Sequence, residues 1–289
     1  MNFMDTKDAV RTTCLLSKRW KNLCKRITKL TFSPNPKHRW KRRDASFKKF
    51  ASWVLSTRDD SCSLLNLSIH LHGCCAVSEN LERIIEYALF RNVQHLSFDP
   101  YSLFMPTRDL VSKMFCCRSL TSLKLCNSEI IVLSKSLLLP ALKSLHLGDV
   151  KFAASNNDSS DPFSNCPVLT TLVLSECSLH DDARVLCISS STLSSLTIFR
   201  TLPKLMDLGI ETYRIALSTP NLCSFTVGGS VDYQLFSTCN LSCLEEVNID
   251  ISWNIGWKAK TPVIIGWLQV LANVKTLTFS TTAAQTILP

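Results

Sequence analysis

Glycine is scarce in this chain, 7 in 289 residues. That argues against glycine-rich phosphate loops, and no HExxH or nucleophile elbow accompanies the six histidines. A nucleophilic Ser or Cys needs a base held beside it, and no spacing marks such a pair. We therefore expect no catalytic residue and no cofactor. Long apolar runs are also missing. The longest stretches, such as residues 262–272, are too short to span a bilayer, so no membrane partner is expected. The first eight residues, MNFMDTKD, carry charge where a signal peptide needs an apolar run. The 14 cysteines contain no CxxC pair and follow no regular spacing. They read as free thiols in a reducing compartment, nucleus and/or cytosol, where they act as small hydrophobes.

Hydrophobic residues make up 46% of the chain and charged residues 19%, enough for a sizeable core and too apolar for wholesale disorder. The net charge of +9 is concentrated at one end. Residues 1–58 hold about 16 of the 32 Lys+Arg and about three acids, which leaves the remainder near −4. The basic balance therefore describes one segment, not the whole surface.

A repeat runs through that remainder. The pattern L-x-x-L-x-L, with other apolar residues allowed, recurs about nine times at a period of about 22–30 residues. Its best copies are Leu120-Leu123-Leu125, Leu142-Leu145-Leu147 and Leu169-Leu172-Leu174. Weaker copies begin at Leu64 and Val93, and later ones at Leu193, Leu222, Leu244 and Val274. The last two anchors are two residues apart, so they share one face of a short strand, and the residues between them face the other way. Stacked copies predict a parallel sheet with an apolar inner face and a polar outer face. Three buried anchors at about 1.5–3 kcal/mol each cannot offset the ordering of a whole repeat, so one copy is stable only against its neighbours. Three residues past the last anchor, six copies place a small hydrogen-bonding residue, Cys177 among them, where the chain must turn. The return segments look irregular. Only residues 78–90 read as an amphipathic helix, with Leu81, Ile84, Ile85, Ala88 and Leu89 on one face. Residues 155–161 (SNNDSSD) read as a surface loop.

Two clusters carry ligand-type chemistry. His70-Leu71-His72-Gly73-Cys74-Cys75 has the donors for zinc. Alternation turns His70 outward, however, and Cys74-Cys75 sit side by side in a turn, so no metal site is expected. The basic run Lys37-His38-Arg39-Trp40-Lys41-Arg42-Arg43, followed by Lys48-Lys49, is interleaved with aromatics. The leading reading is a linker helix packing Phe47, Phe50 and Val54 on the first repeat. An import signal and a nucleic-acid patch over residues 37–49 are the alternatives, with nucleic acid the weakest partner.

The N-terminus adds a resemblance. Phe3-Met4-Asp5-Thr6-Lys7-Asp8-Ala9-Val10-Arg11-Thr12 and then Leu15-Leu16-Ser17-Lys18-Arg19-Trp20-Lys21-Asn22-Leu23 resemble the second half of an F-box. Downstream, Arg91-Asn92-Val93-Gln94-His95-Leu96, Leu139-Pro140-Ala141-Leu142, Cys166-Pro167-Val168-Leu169 and Thr219-Pro220-Asn221-Leu222 are similar to repeat signatures of the same family, the plant F-box/leucine-rich-repeat proteins of the FBD type. The resemblance implies an α/β leucine-rich-repeat solenoid with a curved parallel sheet of the ribonuclease-inhibitor-like kind. Residues 1–33 are then a partial α-helical F-box, 34–60 a basic linker or helix, and 61–289 the repeat domain. It also implies a non-enzymatic substrate receptor of an SCF-type ubiquitin ligase, with a Skp-type adaptor, the cullin ligase core and an unidentified target protein as partners. Val10, Leu16 and Trp20 would then form the F-box core or the adaptor-facing surface. Target contacts would lie on the polar strand face, with Lys124, His146, Glu245, Glu246 and Asn248 as candidates. Two departures stand beside this. The helix that opens an F-box has no counterpart ahead of Phe3, and Thr12-Thr13 adds one residue, which rotates a helix by roughly 100°. A stand-alone or decoy repeat scaffold that does not engage the ligase is therefore the alternative expectation.

Overall fold

The computed structural model describes residues 25–32, 52, 55–59, 61–72, 78–101, 107–134, 136–155, 157–200, 214–229, 233–250, 261–272 and 274–280. The chain forms two compact units, Met1–Glu129 and Ile130–Pro289. Each is taken by itself.

In the first unit, β1 (Lys29–Phe32), β2 (Asn66–His72) and β3 (His95–Tyr101) are joined by β4 (Ser122–Leu133), which begins there. All pair parallel, in register. Leu30, Leu67, Leu96 and Leu123 form one column, and Phe32, Ile69, Phe98 and Leu125 the next, all buried. The strand β1 is a further copy of the repeat, beyond those beginning at Leu64, with Ile27, Leu30 and Phe32 at the anchor spacing. The Arg58 guanidinium holds the approach to this pair of strands, donating to the carbonyls of Ile27, Cys62 and Ser63.

Two helices follow β2 and β3. The first, α1 (Ser78–Phe90), has the predicted bounds and buries Leu81, Ile84, Ile85 and Ala88, while Leu89 is only half-buried. Its end explains the Asn92-Val93 pair. Asn92 is left-handed (φ 56), its N–H donates to the Leu89 carbonyl at 3.1 Å, and the Val93 N–H donates to Ala88 at 3.1 Å. This is a Schellman cap, and its apolar closing residue, Val93, is also the first anchor of the next repeat. The second, α2 (Arg108–Phe115), is capped by Thr107, whose hydroxyl accepts from the Leu110 N–H. Lys113 ties α2 to Glu86 of α1 at 2.8 Å.

The second unit carries β5 (Ser144–Phe152), β6 (Ser159–Ser160), β7 (Thr171–Ser175), β8 (Ser178–Leu179), β9 (Val185–Ser189), β10 (Ser195–Arg200), β11 (Arg214–Ser218), β12 (Ser224–Gly229), β13 (Gln234–Ser237), β14 (Glu246–Asp250), α3 (Thr261–Val270) and β15 (Thr276–Phe279). The repeat strands run β5-β7-β10-β12-β14-β15, all parallel, with β8 beside β5. Leu145, Leu172, Leu196, Phe225 and Val247 align and are fully buried. The column opens at β15, where Leu277 is 36% exposed.

Two local devices set this register. The first is a tight turn before β5, β7, β12 and β14. Leu142, Leu169, Leu222 and Leu244 donate their N–H to the carbonyl three residues back at 3.1–3.2 Å. In the first three copies proline sits at the second turn position, where its fixed φ is wanted. The second is a paired donation to the previous coil. Thr170 and Thr171 both donate to the Lys143 carbonyl, Ser194 and Ser195 to Thr170, Cys223 and Ser224 to Ser194, and Glu245 and Glu246 to Cys223, at 2.8–3.0 Å. Past the strand, the buried Cys177 points its thiol at the carbonyls of Leu147 and Ser175 at 3.5 Å, as a turn-binding residue should.

The return segments differ from the irregular reading. In the second unit they build another parallel sheet, ordered β13-β11-β9-β6. The predicted surface loop at 155–161 supplies its edge strand, with Ser160 buried and Asp161 half-buried. Leucine and isoleucine alternate inward along β9, Leu186 and Ile188, and β11 buries Ile215 and Leu217 in the matching places.

Candidate interaction face

The outward residues of the repeat strands line up in rows across the sheet and make the candidate face. In the first unit the register sets Ser68, Ser97 and Lys124 in one row and His70 beside Asp99. Lys124 is committed locally, its ammonium 3.4 Å from the Asp99 carboxylate.

In the second unit three rows cross the sheet. The first holds Ser144, Thr171, Ser195, Ser224, Glu246 and Thr276. The second holds His146, Val173, Thr197, Thr226, Asn248 and Thr278. The third holds Gly148, Ser175, Phe199, Gly228 and Asp250. His146 leans on Ser175, Nε2 to Oγ 3.1 Å. Phe199 folds over its neighbour: a Cβ on Gly228 would lie 2.5 Å from the Phe199 Cδ2. Only glycine lets the ring lie there, which is why an outward position is buried at Gly228.

Of the five candidate contacts, His146, Glu246 and Asn248 face outward on this sheet. Glu245 sits one residue ahead of β14 and is ion-paired to Lys275 at 2.7 Å. The Lys275 hydrogen bond and charge hold the Glu245 carboxyl below its ordinary range. Lys124 belongs to the first unit, on β4. Val10, Leu16 and Trp20, the run 37–49 and Cys74-Cys75 lie outside the described residues. Phe199 went unmarked in the sequence, although its position one residue past the anchor Ile198 already set it on the outer face.

Burial pushes the Cys166 thiol up to about 11 and the Cys177 thiol up to about 12, which holds both as inert core groups. Among the described residues no three or more His, Cys, Asp or Glu side chains gather as metal ligands would. No helix among them is long and apolar enough to cross a membrane.

Comparison with known proteins fits this architecture. The family described as "FBD-associated F-box protein At5g56370, LRR repeats" matches residues 81–222. A protein of Arabidopsis thaliana whose name places it among the FBD-associated F-box proteins, At5g56410, is 30% identical over 86% of this chain and 50% of its own length. The F-box/FBD/LRR-repeat protein At1g78750 of the same plant is 26% identical over 99% of this chain and 63% of its own. The F-box/LRR-repeat protein At1g55660, also from Arabidopsis thaliana, is 28% identical over 72% and 56%. The chain thus spans about half to three fifths of the length of these relatives. The spacing of the anchors, the turns that set them and these matches agree: the chain belongs to the plant F-box/leucine-rich-repeat proteins of the FBD type.

Proposed function

We propose that this chain is a substrate receptor of an SCF-type cullin ubiquitin ligase and holds a target protein on its repeat strands. Proteins named for an F-box and leucine-rich repeats typically act as non-enzymatic adaptors, and the relatives bear those names. The observation that carries the reading is the outer face of the second unit. Its hydroxyl, imidazole and amide side chains stand in rows fixed by paired backbone donors, a rigid display suited to holding a partner. Such a receptor works by placement, turning an encounter between target and conjugating enzyme into a local event. The F-box-like segment around Val10, Leu16 and Trp20 is the proposed adaptor contact, and nucleus and cytosol are the proposed compartments.

Purified residues 1–289 captured on a Skp-type adaptor test this, with and without a fused helix of the kind that opens an F-box. Binding of the unmodified chain at micromolar affinity or better supports the receptor. Binding only with the fused helix supports a receptor that needs that helix. Binding by neither would leave a stand-alone repeat scaffold.

A further inference from the structure

The middle of the outer face in the second unit carries no formal charge. None of the nine outward positions on β7, β10 and β12 is acidic or basic. Six of them carry hydroxyls, and Val173, the Phe199 ring and Gly228 beneath it are the apolar exceptions. Charge returns at the two flanks. Lys143 is exposed at the turn before β5, and on β14 Glu246 is exposed at the head of the strand while the half-buried Asp250 closes the third row. Glu245 beside it is already neutralised by Lys275, whereas Glu246 has no ion pair among the described residues.

This pattern selects a partner. A charged side chain laid over the hydroxyl floor would lose hydration and gain no counter-charge. Uncharged backbone amides would gain donors and acceptors from the Ser and Thr hydroxyls. An apolar side chain would find the Phe199 ring, seated on Gly228, as its contact. At the flanks, opposite charge is favoured and like charge rejected. Four strand spacings of about 4.8 Å separate β5 from β14, roughly 19 Å, which about six extended residues span.

We propose that this face binds an extended protein segment that places an acidic residue over Lys143, an uncharged middle with an apolar side chain on Phe199, and a Lys or Arg over Glu246. The proposal rests on the reading that the outer face holds the target, and it names that target's chemistry. A nucleic acid is disfavoured on the same grounds, since its phosphates would meet Glu246 and too few cations.

The test is selection of displayed random 12-residue peptides on full-length chain, on the double variant Lys143→Glu/Glu246→Lys, and on Phe199→Ser. All three changed residues are at the surface, and circular dichroism checks that the variants fold. The wild type should enrich peptides with an acid and a base about five to seven uncharged residues apart. The double variant should enrich the reverse charge order. Phe199→Ser should weaken the best wild-type peptide at least tenfold. Charges scattered through the selected middles, an unchanged order on the double variant, no enrichment over an unrelated protein, or displacement of the peptides by a single-stranded oligonucleotide would each overturn the proposal. These outcomes leave adaptor capture untouched. Loss of adaptor capture with the peptide pattern intact would instead defeat the receptor reading alone.

Discussion

The indole N–H of Trp267 donates to the backbone carbonyl of Tyr233 at 3.1 Å, and the two rings lie 4.9 Å apart, tilted by 38°. Both side chains are 1% exposed. This contact fastens α3, an apolar helix with little amphipathic pattern, to the residue that leads into β13. Trp267→Ala should cost about 3–5 kcal/mol, the range for emptying a large aromatic site. Trp267→Phe keeps much of the burial but loses the donor, so its cost should be clearly smaller. Urea unfolding followed by circular dichroism measures both. Equal losses for the two variants would mean that the hydrogen bond, not the buried ring, carries the docking.

Two left-handed residues should respond in opposite directions. Gly229 has φ 85, and a Cβ there would lie 1.6 Å from the Arg200 carbonyl oxygen. Gly229→Ala should therefore destabilise by at least about 2 kcal/mol, since left-handed strain and a backbone clash add. Asn92 holds φ 56 in the cap of α1. Asn92→Gly should be neutral or stabilising by up to about 1 kcal/mol, and Asn92→Val destabilising by about 1–2 kcal/mol. Thermal melts of the three variants decide the order.

The anchor columns could be read from the sequence because they depend only on spacing. Leu145, Leu172 and Leu196 align for the same reason that each is followed, two residues later, by another apolar residue. What depends on a neighbour was harder to see. Leu277 has the spacing yet stays 36% exposed, because burial belongs to the stack and not to the motif. The second sheet escaped because β11 and β13 are only five and four residues long, too short for periodicity to separate strand from loop. The copy at β1 lies directly after the basic, F-box-like segment, where charge masks the anchor spacing of Ile27, Leu30 and Phe32. On the candidate face, His146 and Glu246 follow from alternation, but the seat of Phe199 on Gly228 joins residues 29 apart and needs the register to be known.

Thiol chemistry should divide the cysteines by burial. Cys116, Cys223 and Cys243 are exposed, whereas Cys166 and Cys177 are buried, with their thiols pushed to about 11 and about 12. At pH 8 the buried pair has almost no thiolate and no access for a reagent. Brief iodoacetamide treatment of the folded protein, read peptide by peptide by mass spectrometry, should label the first three and spare the other two. Denaturant should make all five reactive. Labelling of Cys177 in the folded state would show that the second unit opens on the timescale of the reagent.

Asp161 should make folding less favourable as pH rises through its titration. Burial raises its carboxyl above the ordinary value, and the Ser189 hydroxyl and Phe163 N–H only partly counter this. A carboxyl raised on folding stabilises the native state below its unfolded pKa, and that contribution is lost as pH climbs through the folded pKa. The charged form is then the unwelcome one at neutral pH. Asp161→Asn keeps an acceptor for both donors and removes the charge. The variant should therefore gain stability over the wild type at pH 7 and little or none at pH 3.5, by urea midpoints measured on both proteins at each pH. A second readout is independent of stability. After burial itself, the Asp161 charge is what raises the neighbouring Cys187 thiol. Cys187 should therefore be alkylated faster in Asp161→Asn at pH 8, with the rates of Cys223 and Cys243 unchanged. A gain in stability that is the same at both pH values, together with an unchanged Cys187 rate, would show that packing and not charge decides this position.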